Sequence, residues 1–289
     1  LGGYLGIAIV ALWLARKPIW QLIKKVLRER SDVDNSGEPM EYRTAVLGII
    51  LGISFLVFFS YRAGMTIRFA LAFFGVYFAI AFAHTRARAE LGPPMHGIHY
   101  FGPFQFFVAA VGSRKLANQT LTAAAPLWTF TKQFRNHPMP YILESFKLAD
   151  KSGMDTRKLG RVIMLSVVVS LILTCWTFLQ FSYKWGGISE GRGIEAYTTI
   201  GRWLVRPIEP DIQSLGAMAV GALFVFINTA LRLRFLWWSL HPLAYPIAGY
   251  VDFRHLWFPF FISWLLKLAI LKHGSIQTYR RTFPFFLGL

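Results

Sequence analysis

The residues of this chain that could do chemistry are few, and they gather where apolar runs break. The stretch Arg86-Ala-Arg-Ala-Glu-Leu-Gly-Pro-Pro puts Arg86 and Glu90 four residues apart. That spacing pairs opposite charges on a helix. A rigid Gly-Pro-Pro break follows. Two arginines, Arg86 and Arg88, with one carboxylate at the mouth of a broken helix can receive an anionic group. The plain alternative is a charged anchor with a local ion pair. A second group, Arg114, Lys115, Asn118 and Gln119 with Thr120, lies inside the otherwise apolar stretch 91–131. Polar side chains at membrane depth are costly and face a bundle interior or a water-filled cavity. If 91–131 is a hairpin, they form its tip, where lipid headgroups are the plain alternative. Arg86, Arg88, Glu90, Arg114, Lys115, Asn118 and Gln119 are the candidate substrate-binding residues, expected to line one polar cavity.

Other polar residues read as structural. His96 and His99 have a spacing that fits one metal on a helical turn, but Gly and Pro surround them and no acidic or Cys partner is near. No metal and no cofactor is expected. Cys175, the single cysteine, sits within an apolar run and reads as packing. Asn228 and Gln180 read as amides that join helices. Gly48 with Gly52, and Ala217 with Gly221, have the small-residue spacing of close helix contacts. Lys267 can snorkel to a surface. Glu144 and Lys147 read as a solvated pair. No Walker loop, HExxH, GxSxG or CxxC is present, so no catalytic residue is assigned and the chain is not read as an enzyme.

The elements that must position these residues follow from composition. Hydrophobic residues are 55% of the 289, aromatics 17% and charged residues 16%, against about 25% charged in a soluble domain. Mean hydropathy is +0.44. This excludes a disordered chain and a disulfide scaffold, and it leaves an all-α polytopic membrane protein. A span needs about 20 apolar residues. Residues 44–61, 69–85, 162–183 and 212–231 provide them, 1–15 reads as the end of another span, and 256–272 as a sixth. Stretches 91–131 and 235–250 carry too many prolines and glycines for simple helices, so they are expected to be broken or re-entrant. The total is about 6–8 membrane segments in one transmembrane domain, 1–289.

Three amphipathic pieces lie between spans. In 18–30, Ile19, Leu22, Ile23, Val26 and Leu27 share one helical face, opposite Lys24, Lys25 and Arg28. This suits a helix lying on a membrane surface, followed by the polar linker 31–39. Tyr141 to Lys151 forms a second piece, ending near Gly153. In the third, Ile194, Tyr197, Ile200 and Leu204 recur at helical spacing. Net charge is +17, from 31 Lys and Arg against 14 Asp and Glu. The charges cluster between apolar runs, so membrane topology explains them and nucleic acid is not expected as a partner. Placing 16–43 and 132–161 in the cytoplasm and 183–211 outside gives a three-to-one Lys/Arg bias to the inside, provided 91–131 crosses an even number of times. The chain starts at Leu1 and ends within an apolar run, so it is expected to be an internal fragment of a longer protein.

The stretches RARAELGPP, 137–160 and 271–289 resemble uncharacterised multi-pass bacterial membrane proteins known as domains of unknown function. The broken hairpins also resemble, in style, the oligopeptide transporter family. The first resemblance implies a location in the cell inner membrane but no substrate and no site residues. Broken segments point to a midplane binding site, so the expected function is secondary transport of a small polar or anionic solute. The alternatives are a non-catalytic membrane subunit or scaffold and, third, a membrane enzyme acting on a lipid-linked substrate, for which Glu190, Glu195, Glu209 and Asp211 offer no recognisable spacing. Expected partners are the lipid bilayer, the solute, and other membrane subunits or a second copy.

Overall fold

The computed structural model describes residues 1–28, 38–92, 102–131, 134, 137–185, 191–249 and 251–287. The expected linker at 31–37, the prolines Pro93 and Pro94, the pair His96 and His99, and Glu190 lie outside these. Within the described residues the chain is all-α. Helix α1 (Gly2–Leu14) bends by 57° into α2 (Arg16–Arg28), and α3 (Tyr42–Arg62) turns at Gly64 into α4 (Ile67–Leu91). The short helices α5 (Pro103–Val111) and α6 (Asn118–Thr131) precede α7 (Pro138–Ser152), α8 (Thr156–Trp185) and α9 (Gly191–Val205). Helix α10 (Ile212–Arg234), the five-residue α11 (Ala244–Ala248), α12 (Val251–His273) and α13 (Ile276–Leu287) complete the chain.

Helices α3, α4, α8, α10 and the His255–His273 part of α12 are long and apolar enough to cross a membrane, and the bent pair α1–α2 gives a sixth candidate. All six correspond to runs visible in the sequence. At 1.5 Å per residue, α8 is about 45 Å long, more than a hydrocarbon core of about 30 Å, so it tilts or projects. Its apolar window is 0% buried by protein, as suits a helix surrounded by lipid. Helix α2 exposes Ile19, Trp20 and Ile23 beside its charges, with Arg16 stacked over Trp13 at 4.2 Å.

The packed centre is α1, α4 and α10. Small residues let them approach. A Cβ on Gly2 would lie 1.8 Å from the Met218 carbonyl oxygen, and one on Gly3 would lie 2.8 Å from Pro246 Cγ. Gly221 faces the Gly3 amide nitrogen, so the Ala217–Gly221 pair does mark a close contact. Around it pack Tyr4, Ile7, Ala8, Ile80, Ala83, Val225 and Leu243, all buried. The other small-residue pair behaves differently: nothing lies within 4 Å of a Cβ on Gly48 or Gly52, so this spacing marks no contact within the described chain.

The amphipathic face of α9 is only in part the one read in sequence: of Ile194, Tyr197, Ile200 and Leu204, only Ile200 is buried. Ala196 and Ile200 are buried, and Trp203 packs against the same cluster on α6. Ile194 and Tyr197 are exposed. A helix with one face on protein and another on lipid is apolar on both, and the pattern of large residues picked mostly the lipid-facing side. We expect Gly2→Ala to force α1 and α10 apart and cost about 1–3 kcal/mol, while Gly48→Ala is neutral or stabilising by up to about 1 kcal/mol. Thermal unfolding of the two variants in the same detergent checks this. Equal melting temperatures would contradict it.

Candidate functional site

Both stretches read as broken in sequence are broken. Helix α4 stops at Leu91, where Gly92 takes a left-handed conformation (φ +58°). Helices α5 and α6 then form a hairpin around 112–117. Its base is narrow, since a Cβ on Gly102 would lie 2.7 Å from the Thr131 carbonyl oxygen. Its tip docks on the segment 206–211. The Ser113 amide donates to the Ile208 carbonyl at 3.0 Å, the Ile208 amide donates to Ser113 Oγ at 2.9 Å, and the Asp211 amide donates to the Ala109 carbonyl at 2.9 Å. Only glycine fits at 112, where φ is +79° and a Cβ would sit 2.7 Å from the Ile208 oxygen. The second break follows α10. The chain turns through 235–243 and climbs back along α10, until the Tyr245 ring meets the Phe224 ring at a tilt of 45°, centroids 4.8 Å apart, and Tyr4 Oη donates to the Pro246 carbonyl at 3.2 Å.

The hairpin returns the chain to the end it left. Arg88, near the end of α4, meets Glu144 of α7: Nε donates to Oε1 at 2.5 Å and Nη2 to Oε2 at 3.4 Å. The last turn of α4 and the first turns of α7 thus lie together, on either side of the hairpin in sequence.

The seven candidate residues fall into two groups that the structure does not bring together. Arg86, Arg88 and Glu90 sit on the last turns of α4. Arg86 Nε and Glu90 Oε1 are 2.6 Å apart, as the i,i+4 spacing predicts. Arg114, Lys115, Asn118 and Gln119 sit at the hairpin tip, with Gln119 near Gly64 at the other end of α4. The two groups lie about 30 Å apart along α4, from the 19–21 residues between Ile67 and Arg86 or Arg88 at 1.5 Å each. One polar cavity cannot hold both, and that expectation is corrected. The sequence suggested it because both groups flank one irregular stretch, but the length of α4 keeps them apart.

The tip group is exposed. Arg114 pairs with Glu209 at 2.6 Å, yet their side chains are 72% and 62% accessible. Such a pair contributes about 0–1 kcal/mol. The α4 group is more enclosed. The Arg88 side chain is 16% accessible, and its Nη1 is buried with no hydrogen-bond partner. Around it stand residues that sequence reasoning missed or placed elsewhere. Glu144, read as solvated beside Lys147, belongs to Arg88, and Lys147 instead approaches Asp150 at 3.7 Å. His241 Nε2 lies 3.7 Å from Glu90 Oε2. Trp238 Nε1 donates to Asn228 Oδ1 at 3.1 Å, so Asn228 ties α10 to the turn that follows it. His84 is fully buried in α4 between the rings of Tyr4 and Phe134. A histidine inside an apolar span was a visible signal. Glu144, Glu209 and His241 carried none, because their partners lie far away in sequence. Lys267 lies over the Tyr279 ring at 5.6 Å.

A cavity of about 540 Å³ lies between α1, α10 and α11, level with the first turns of α10. Gly2, Gly3, Ser214, Ala217, Gly221 and Tyr245 line it. None of the seven candidates does. Among the described residues, no three His, Cys, Asp or Glu side chains gather as a metal site.

These features define an all-α polytopic membrane protein with broken segments packed against its central helices. The chain belongs to the family described as "Family of unknown function (DUF6785)", which it matches over residues 1–289. Comparison with curated proteins and with solved structures finds no match. We expect Glu144→Gln to cost about 1.5 kcal/mol, the scale of a hydrogen bond to a charged group, and Glu209→Gln less than about 0.5 kcal/mol. Thermal unfolding of the two variants measures the difference, and an equal loss would contradict the contrast between the two ends.

Proposed function

We propose that this protein is a secondary transporter of a small polar or anionic solute in the cell inner membrane. The observation that carries the reading is the placement of the two broken segments. Both pack on the α1–α4–α10 centre, one as the α5–α6 hairpin and the other as 235–249. Broken segments of this kind line binding sites in transporters because they free backbone donors and acceptors at depth. The cavity between α1, α10 and α11 is bounded by one of them.

Arg88 is the residue we assign to an anionic group. Glu144 occupies its Nε and Nη2, and the buried Nη1 remains free to donate to a ligand. Arg86 and Glu90 form the rim of the same entrance. On this reading the Arg-rich end of α4 and α10 faces the cytoplasm, as the Lys/Arg bias suggests. Lys115 and Arg114, at the opposite end, serve as headgroup anchors.

The full chain in liposomes, on a solid-supported membrane, tests this by current. We expect at least one of inorganic phosphate, small dicarboxylates or acidic dipeptides to give a saturable current. Arg88→Ala should lower it at least about tenfold, the scale of one lost charged contact, and Arg88→Lys should restore it in part, since Lys keeps the charge but not the fork. No saturable current with any of these probes, or a current that Arg88→Ala leaves unchanged, would favour the scaffold reading.

A further inference from the structure

The end of α4 beside Arg88 holds an ionisable group that the proposed anion contact does not use. His241 lies in the turn 235–243, between α10 and α11 and outside the spans, and its side chain is 22% accessible. Its two ring nitrogens have different tasks. Nδ1 accepts from the Leu243 amide at 3.2 Å, and the His241 carbonyl accepts from the Ala244 amide at 3.0 Å. Together these bonds start α11. Nε2 faces Glu90 at 3.7 Å. An imidazole whose Nδ1 accepts a hydrogen bond carries its proton on Nε2 and is neutral. A second proton can go only to Nδ1, and there it removes the acceptor that the Leu243 amide uses. Protonation therefore exchanges the turn hydrogen bond to the Leu243 amide for a full ion pair with Glu90.

We infer that His241 is a proton-binding site whose occupancy switches the start of α11, and with it the wall of the cavity between α1, α10 and α11. The inference rests on the transport reading for its purpose: it gives that reading a coupling ion, the proton. The switch itself follows from the geometry. Leu243, Pro246 and Ile247 are buried against the central helices, so a change at the His241–Leu243 turn bond is passed to packed residues rather than lost in solvent. The charged groups that face His241 are Glu90, with Arg86 bound to it, from α4, and Arg232 from α10. Tyr4 of α1 and Tyr245 of α11 turn instead to the Pro246 carbonyl and the Phe224 ring.

The sign follows from these neighbours. Burial disfavours the imidazolium, the Arg232 charge repels it, and Glu90 opposes both; the result is a pKa below the ordinary 6.5. The neutral form, with its turn bond to Leu243, is therefore stabilised above pH 6.5, and that stabilisation is lost as pH falls through the lowered value.

An environment-sensitive fluorophore on Leu240→Cys, in a Cys175→Ala background, reports the turn in the full chain reconstituted in lipid nanodiscs. Titration from about pH 8 to about pH 4.5 covers the histidine range. We expect a one-proton transition with its midpoint below 6.5. Glu90→Gln should lower that midpoint and Arg232→Gln should raise it, each by roughly one unit. His241→Gln should abolish the transition. If His241→Gln fails to fold, the opposite shifts of the other two variants decide the matter. A flat titration of the parent, a transition that survives in His241→Gln, or shifts of the wrong sign would overturn the inference. A flat titration leaves the transport reading untouched, because currents judge that separately. Absent currents with a normal titration remove the transport reading and leave the proton switch in place.

Discussion

Inside a bilayer, a backbone group that leaves a helix must find its partner within the protein. The arrangement of this chain follows from that constraint. The hairpin tip at 112–113 is tolerated because 208 and 211 complete its hydrogen bonds. The segment after α10 is tolerated because Asn228 and Tyr4 take up Trp238 and the Pro246 carbonyl. Both solutions need close approach, and glycine supplies it at Gly112 and at Gly2 and Gly3. The irregular pieces are thus anchored by specific, long-range contacts. A chain that needed only to cross the membrane could have avoided them with unbroken helices, as α3 and α8 do.

The same constraint separates the two polar groups. At the hairpin tip the charges are exposed, and an exposed pair such as Arg114–Glu209 contributes little. At the end of α4, Arg88 is enclosed by α7 and must be paired. Glu144 does this for two of its three nitrogens. The remaining donor and the neighbouring His241–Glu90 contact leave that end with chemistry to spare.

Much of the fold was legible in the sequence, because span length and proline placement are local signals. The six runs became six candidate spans, and Gly92, Pro103 and Pro242 mark real breaks. The Arg86–Glu90 pair was legible for the same reason. The site was legible only in half. Arg88 was singled out, but Glu144 and His241 were not, since partners 56 and about 150 residues away leave no periodic trace. The joining of two distant arginine groups into one cavity failed because both flank one irregular stretch in sequence, whereas the length of α4 keeps them apart. The face of α9 was misread in part because lipid and protein both reward apolar residues, so a hydrophobic stripe does not say which it meets. Gly48–Gly52 and Ala217–Gly221 have the same spacing, and only the second packs against a neighbour.

The claim on which the rest depends is that the broken segment 235–249 bounds a water-accessible cavity within a bundle whose outer helices face lipid. Cysteine reactivity tests it most directly. In a Cys175→Ala background, Ala217→Cys places a thiol in the wall between α1, α10 and α11, and Val168→Cys places one on the exposed face of α8. In sealed membrane vesicles, a small water-soluble thiol reagent should modify the thiol at 217 and leave the one at 168 unmodified. An unreactive thiol at 217 would mean that the broken segments merely pack, and a reactive thiol at 168 would mean that α8 does not lie in lipid. Either result would contradict the account.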